Sequence, residues 1–252
     1  KRLSTPVRIT AQSWPEGTVP VVTIRCITYN HAKFIRDAIE GFLMQETTFP
    51  VEILIHDDAS TDGTADILRE YAAKYPQVFH TVFQTENQYS KGSEAWARVR
   101  EHVGGLVRGE FIALCAGDDY WTSAEKLQKQ VEALEQSLDC ALCFHNALLL
   151  DDTGALERAR PMHEDLGKNV FETKDLLRQW FIPTASIMYR NYPDFEMPSW
   201  VEGCQSGDIP LLLLLSLKGN LCYLSETMSV YRLHVGGMSK THLGHKKVLA
   251  MT

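Results

Sequence analysis

The strongest constraint is the spacing of apolar residues. Over about the first 140 residues, strand-length apolar runs alternate with amphipathic helical stretches about four times. Val21 to Ile27 is a β-rich run, and His31 to Gln45 is helical, with Ile35, Ala38, Ile39, Phe42 and Leu43 on one face. Val51 to Ile55 forms a second strand. A helix over Gly63 to Tyr75 follows, with Ile67, Leu68, Tyr71, Ala72 and Tyr75 as its stripe. Val78 to Phe83 is a third strand, Glu94 to Val103 a helix and Phe111 to Cys115 a fourth strand. Thr122 and Glu125 have capping-box spacing before a helix striped by Leu127, Val131 and Leu134. Apolar strands spaced by helices require a mostly parallel sheet covered on both faces. The expected class is therefore α/β and Rossmann-like.

The second part of the chain is mixed. Ala141 to Leu150 runs into the turn Asp151-Asp152-Thr153-Gly154, the pattern of a hairpin. A short helix over Thr173 to Phe181, a strand over Thr184 to Tyr189 and a helix over Asp208 to Leu217 follow. Leu221 to Leu224 and Met228 to Tyr231 read as two short strands. This half is expected to pack on the same sheet. Residues 1 to 19, broken by Pro6, Pro15 and Gly17, read as a weakly structured arm.

Composition narrows the function. A net charge of -7 over 252 residues argues against broad nucleic-acid binding, which needs a basic surface. The longest apolar stretch, Ile209 to Leu215 extended to Leu217, falls short of the ~20 residues of a membrane span. No signal peptide opens the chain, and a soluble, cytoplasmic-type protein is expected. A start at Lys1 rather than Met points to a processed product or a piece of a longer chain. The six cysteines lie mostly in apolar runs and read as buried and reduced rather than as a disulfide framework.

Ligands of open parallel sheets bind outside the carboxyl ends of the strands. After the first strand come Thr28, Tyr29, Asn30 and His31. After the second comes His56-Asp57-Asp58-Ala59-Ser60-Thr61-Asp62-Gly63-Thr64, and after the fourth Gly117-Asp118-Asp119-Tyr120-Trp121. Carboxylates thus converge on one edge. A calcium loop from Asp58 fails because its twelfth position is Arg69 rather than Glu. No P-loop and no Gly-x-Gly-x-x-Gly fingerprint is present.

The stretches Val22 to Asn30, His56 to Thr64 and Gly109 to Trp121 resemble in order and spacing a family 2 glycosyltransferase from about residue 20 to about 240. The resemblance implies an A-type nucleotide-sugar transferase fold in a single domain with a mixed acceptor-side subdomain. It divides the chain into an arm (1–19), a catalytic domain (20–240) and a tail (241–252), with nucleotide-sugar and acceptor halves at 20–121 and 122–240. By the same resemblance Tyr29 packs on the donor's base, Asp58 accepts from the base N–H, and Asp57 shapes that pocket. Asp118 lies near the ribose, and Asp119 holds Mg2+ or Mn2+ against the diphosphate. The ion stabilises charge developing on the leaving group. Ala116 stands where many members carry an acid. Asp208, in Gly207-Asp208-Ile209-Pro210-Leu211, resembles the general base of an inverting transfer, with a helix N-cap as the plainer reading. Arg232 and His234 resemble a late segment contacting phosphate or metal.

The activity implied is an inverting, metal-dependent transfer from a nucleoside-diphosphate sugar, a UDP-sugar first, to a saccharide or lipid-linked saccharide hydroxyl in surface polysaccharide synthesis. A lipid-linked acceptor would bring the protein to the inner face of the membrane, though no basic amphipathic helix demands it. The acid excess then predicts metal dependence. The alternatives are a non-catalytic saccharide-binding or scaffold domain and a sugar nucleotidyltransferase, whose Gly-rich loop is missing after the first strand. Trp200 is an acceptor-site candidate, whereas Trp96 and Trp180 suit packing. Cys140, Cys143 and His145 lack the fourth ligand of a structural zinc site. His31 and His56 adjoin the motifs, but nothing in the sequence makes them catalytic.

Overall fold

A computed structural model describes residues 2–152, 159–204 and 207–237. The elements run β1 (Val7–Arg8), β2 (Val22–Thr28), α1 (Ile35–Leu43), β3 (Glu46–Thr47), β4 (Val51–Asp57) and α2 (Thr64–Lys74). Then come β5 (Phe79–Phe83), α3 (Ser93–Gly105), β6 (Phe111–Ala116), β7 (Tyr120–Trp121), α4 (Lys126–Gln136) and β8 (Cys140–Asp151). The last are β9 (Ala159–Pro161), β10 (Val170–Phe171), α5 (Thr173–Leu176), β11 (Met188–Arg190), α6 (Asp208–Ser216) and β12 (Asn220–Leu233).

One sheet runs in the order β10-β12-β8-β11-β6-β2-β4-β5. Strands β6, β2, β4 and β5 are parallel. The three inner ones, β6, β2 and β4, are mostly apolar because helices and loops cover both faces; every residue of β4 is buried. The chain moves outward from β2 to β4 and β5, then returns to the other side of β2 as β6. That reversal opens a crevice at the carboxyl ends of β2 and β6, where Ile27 pairs with Ala116. Beyond β6, the sheet becomes mixed through antiparallel β11, and β12 runs parallel to β8.

Strand β7 pairs antiparallel with β12, Trp121 opposite Ser229. This pairing brings the carboxyl end of β12 beside the turn that follows β6. Gly41 of α1 makes the approach tight: a Cβ there would lie 2.9 Å from the Trp121 backbone nitrogen.

Several expectations are corrected. The arm is packed rather than weak: β1 pairs with β3, and Ile9 is fully buried. The two short strands before Leu233 are one strand, β12, whose register shifts between Leu224 and Ser229. The helix expected over Thr173 to Phe181 stops at Leu176, and Thr184–Ser186 is a 3-10 turn before β11. No Thr122–Glu125 capping box forms. Gln45 serves instead, accepting from the Leu127 N–H at 3.1 Å and donating to the Ser123 carbonyl at 2.7 Å.

Cys140 and Cys222 form a disulfide between neighbouring strands β8 and β12, so these two are not reduced thiols. Cys26, Cys115 and Cys143 are free and buried, as expected, and Cys204 is free but exposed. β8 does form a hairpin with β9, Leu148 opposite Pro161. Thr153, Gly154 and residues 241–252 of the expected tail lie outside the described residues.

Candidate active site

The loops after β2 and β4 are sewn together. The Asn30 N–H donates to Ser60 Oγ at 2.9 Å, and Thr61 N–H donates back to Asn30 Oδ1 at 2.8 Å. The Ala32 N–H reaches Asp62 Oδ2 and the His31 N–H reaches Thr64 Oγ1, each at 2.9 Å. Asn30 holds a left-handed backbone, φ 54°, which asparagine tolerates better than most residues. Much of the polar 57–64 stretch is therefore spent on backbone amides that no ladder satisfies.

Asp57 and Asp58 are both buried. Asp57 accepts from the Ser60 N–H at 3.1 Å and from the Ser60 hydroxyl. Asp58 accepts from the Gln88 N–H at 2.8 Å and the Tyr89 N–H at 3.0 Å, one on each carboxylate oxygen. The structure thus gives Asp58 a partner the sequence did not suggest: it ties down the loop after β5. Tyr29 stands at the mouth, 43% exposed.

At the end of β6 the Gly117 N–H donates to the Ile27 carbonyl at 3.0 Å. A Cβ on Gly117 would lie 2.7 Å from Thr28 Oγ1 and 3.0 Å from His31 Nδ1, so glycine admits both side chains. The next two carboxylates then diverge. Asp118 turns toward the crevice, where its Oδ2 lies 3.0 Å from His234 Nε2 and 3.8 Å from His31 Nε2. Asp119 turns inward, 3% exposed, and its Oδ1 accepts the Arg232 N–H of β12 at 2.8 Å.

Their electrostatics diverge too. Burial works against ionising Asp118, but the His234 hydrogen bond and nearby His31 outweigh it, holding its pKa below the usual carboxylate value. Burial, then the charge of Asp118, push Asp119 well above it. Asp118 is therefore the carboxylate that faces the crevice and its two histidines. Asp119 fastens the acid turn to β12.

His234 lies with its ring centroid 4.5 Å from that of Phe34. Arg232, from the same late segment, packs behind Asp118. Its guanidinium is nearly enclosed between the Phe34 and Tyr120 rings, at 4.7 and 4.9 Å. Nη1 donates to the Asp118 carbonyl and Nη2 to Asp37 Oδ2, both at 2.9 Å. Its visible work is to brace Asp118 from behind.

Asp208 is the first residue of α6, and Gly207 holds the cap position without a side-chain cap bond. The Asp208 Oδ2 accepts from the Thr184 hydroxyl. Burial raises the Asp208 pKa, and the Thr184 bond works in the opposite sense. Its charge contributes to the upward push on Asp119, which places the two carboxylates in one electrostatic neighbourhood. His56, by contrast, lies buried, 3.2 Å from Gln84 Nε2, with its ring edge-on to Trp96. Trp200 is 54% exposed.

The family model for glycosyl transferase family 2 matches residues 23–188. The chain belongs to glycosyltransferase family 2. The uncharacterized protein Rv1520 of Mycobacterium tuberculosis is 38% identical over 221 residues, 86% of this chain and 60% of that protein. The chain thus spans about 60% of the length of this relative. A putative teichuronic acid biosynthesis glycosyltransferase, TuaG of Bacillus subtilis, is 29% identical over 218 residues, 85% of this chain and 79% of that protein. The fold matches S. aureus TarS 1-349 in complex with UDP-GlcNAc with a TM-score of 0.65, at 19% identity, covering 88% of this chain and 61% of that one. It also matches mannosyltransferase PcManGT of Pyrobaculum calidifontis in complex with GDP-Man and Mn2+, with a TM-score of 0.61 at 17% identity, covering 96% and 66%.

This family 2 glycosyltransferase domain therefore has the A-type fold expected of it. The sequence did not single out His31, Thr184 or Asp37 as functional. His31 had one signal, its place directly after the carboxyl end of the first strand. Thr184 and Asp37 had none, because each meets its partner only through the folded chain.

Proposed function

We propose that this domain transfers a sugar, with inversion, from a nucleoside-diphosphate sugar to a hydroxyl of a saccharide acceptor. The observation that carries this reading is the Asp118–His234 pair at the reversal point of the sheet, with Asp208 near enough for its charge to act on neighbouring Asp119. The donor sets fit a divalent cation: one ionised carboxylate and an imidazole face one another across the crevice. When bound, Mn2+ or Mg2+ would supply positive charge against the leaving diphosphate.

The chain's own residues do the rest. The sewn loops of β2 and β4 form the floor on which a nucleotide rests, with the exposed ring of Tyr29 offered to the base. Asp57 and Asp58 keep that floor and the 88–89 loop in place. Arg232 and Asp119 hold Asp118 and His234 in register. Asp208, oriented by Thr184, removes the proton of the attacking hydroxyl at its carboxylate, a contribution of ~10²–10⁴-fold. Its raised pKa suits a base better than that of a fully exposed carboxylate.

TarS with UDP-GlcNAc and TuaG's assignment to teichuronic acid support a UDP-sugar donor and a surface-polysaccharide acceptor, free or lipid-linked. No described helix is long and apolar enough to cross a membrane. A lipid-linked acceptor would then be met at the inner membrane face by peripheral contact. A donor screen with and without Mn2+, reading released nucleoside diphosphate, tests the reading; the expected result is metal-dependent release with a UDP-sugar. No turnover and no binding with any donor would reject it. Asp208→Asn should abolish transfer and leave donor binding within about twofold, whereas equal loss of both would make Asp208 structural.

A further inference from the structure

We propose that His31 is a third protein ligand of the divalent cation, so that the free domain binds Mn2+ before any nucleotide and prefers it to Mg2+. This rests on the cation reading of Asp118 and His234 above. His31, Asp118 and His234 each present a ligand atom, and these atoms all lie within 4.8 Å of one another. Ligands of a first-row ion stand about 2.0–2.2 Å from it, so opposite donors lie a little over 4 Å apart. The cluster needs shifts of only a few tenths of an ångström to close on one ion.

The 3.8 Å gap between His31 Nε2 and Asp118 Oδ2 is too long for a hydrogen bond. It suits two neighbouring ligands of a common ion. The ring is also held in this pose. Phe34 and His234 meet it edge-on, with centroids at 6.4 and 6.2 Å. Its Nδ1 is sealed against Gly117 and has no hydrogen-bond partner, which leaves Nε2 as the nitrogen directed at Asp118. The three side chains come from the ends of β2, β6 and β12, the elements that define the crevice.

Two consequences follow from this donor set. Three protein ligands, instead of two, allow binding without phosphate oxygens. Two imidazoles and one carboxylate favour first-row ions, whereas Mg2+ demands oxygen ligands and keeps its waters.

The test titrates Mn2+ into the free protein without nucleotide, reading unbound Mn2+ by electron paramagnetic resonance, with Mg2+ as competitor. The expected result is one Mn2+ site that a large excess of Mg2+ displaces poorly. His31→Ala should weaken Mn2+ binding by at least ~10-fold, the lower end of what even outer-shell partners of metals contribute. His31→Asp, which restores an oxygen ligand, should keep a site while narrowing the Mn2+/Mg2+ gap. Circular dichroism checks that both variants fold. Wild-type affinity in both variants would overturn the assignment of His31. Binding that needs UDP in the wild type would likewise overturn it. If Asp118→Asn and His234→Ala also bind Mn2+ like wild type, the cation reading itself fails, so the two failures are distinguishable.

Discussion

Arg232→Ala separates bracing from phosphate contact. The change removes a guanidinium whose side chain is 6% exposed. It leaves the Asp118 carbonyl without its 2.9 Å donor, a loss of about 1–3 kcal/mol. It also removes the cation from two ring faces, each worth about 0.5–2 kcal/mol. Asp37 is 55% exposed and rehydrates, so its ion pair adds only about 0–1 kcal/mol. Together these centre on a destabilisation of about 5 kcal/mol, or about 10–20 °C in Tm for a domain of this size. Arg232→Lys keeps the charge but cannot span Asp118 and Asp37 together, so about half the loss is expected. Urea unfolding followed by tryptophan fluorescence gives the stability, and calorimetry with UDP and Mn2+ gives donor-side affinity. An unchanged urea midpoint with abolished UDP binding would refute the bracing role and put the guanidinium on the diphosphate.

Thr184→Val removes the bond that lowers the Asp208 pKa while leaving the burial that raises it. A base works ionised, so transfer rises with pH through that pKa, and the acid limb of the pH–rate profile should move to higher pH; an unmoved limb would refute the coupling. The Cys140–Cys222 bond closes a loop with a sequence separation of 82, for which chain entropy gives about 4–5 kcal/mol. Reductant should therefore lower the urea midpoint of the native chain but not of a Cys140→Ala/Cys222→Ala variant, and no effect on the native chain would reject the stabilisation.

The parallel part of the sheet was legible in the sequence because its inner strands β2, β4 and β6 are largely buried on both faces. Continuous apolar runs from Val22 to Ala116 gave strands within about two residues of those observed. The second half was less legible where long-range pairing overrides local pattern. Exposed Ser225, Glu226 and Thr227 suggested a gap between two strands, yet β8 carries β12 through the register shift. The cap of α4 comes from Gln45, far away in sequence, and no local spacing could reveal it. The different surroundings of Asp118 and Asp119 have the same origin. Adjacent carboxylates look alike in a sequence, and only the pairing of β7 with β12 decides which meets a backbone amide and which meets the crevice.

The stitched loops have a further consequence, for the thermodynamics of recognition. Fixing a flexible loop around a ligand costs conformational entropy that subtracts from affinity. Here the loops after β2, β4 and β5 are already cross-linked by Ser60, Asp62, Thr64 and Asp58. Whatever settles over these strand ends meets a rigid receptor, and its binding should show little change in backbone order on that side. Loosening one stitch, as Ser60→Ala would, should therefore weaken binding through entropy, with the enthalpy of contact preserved.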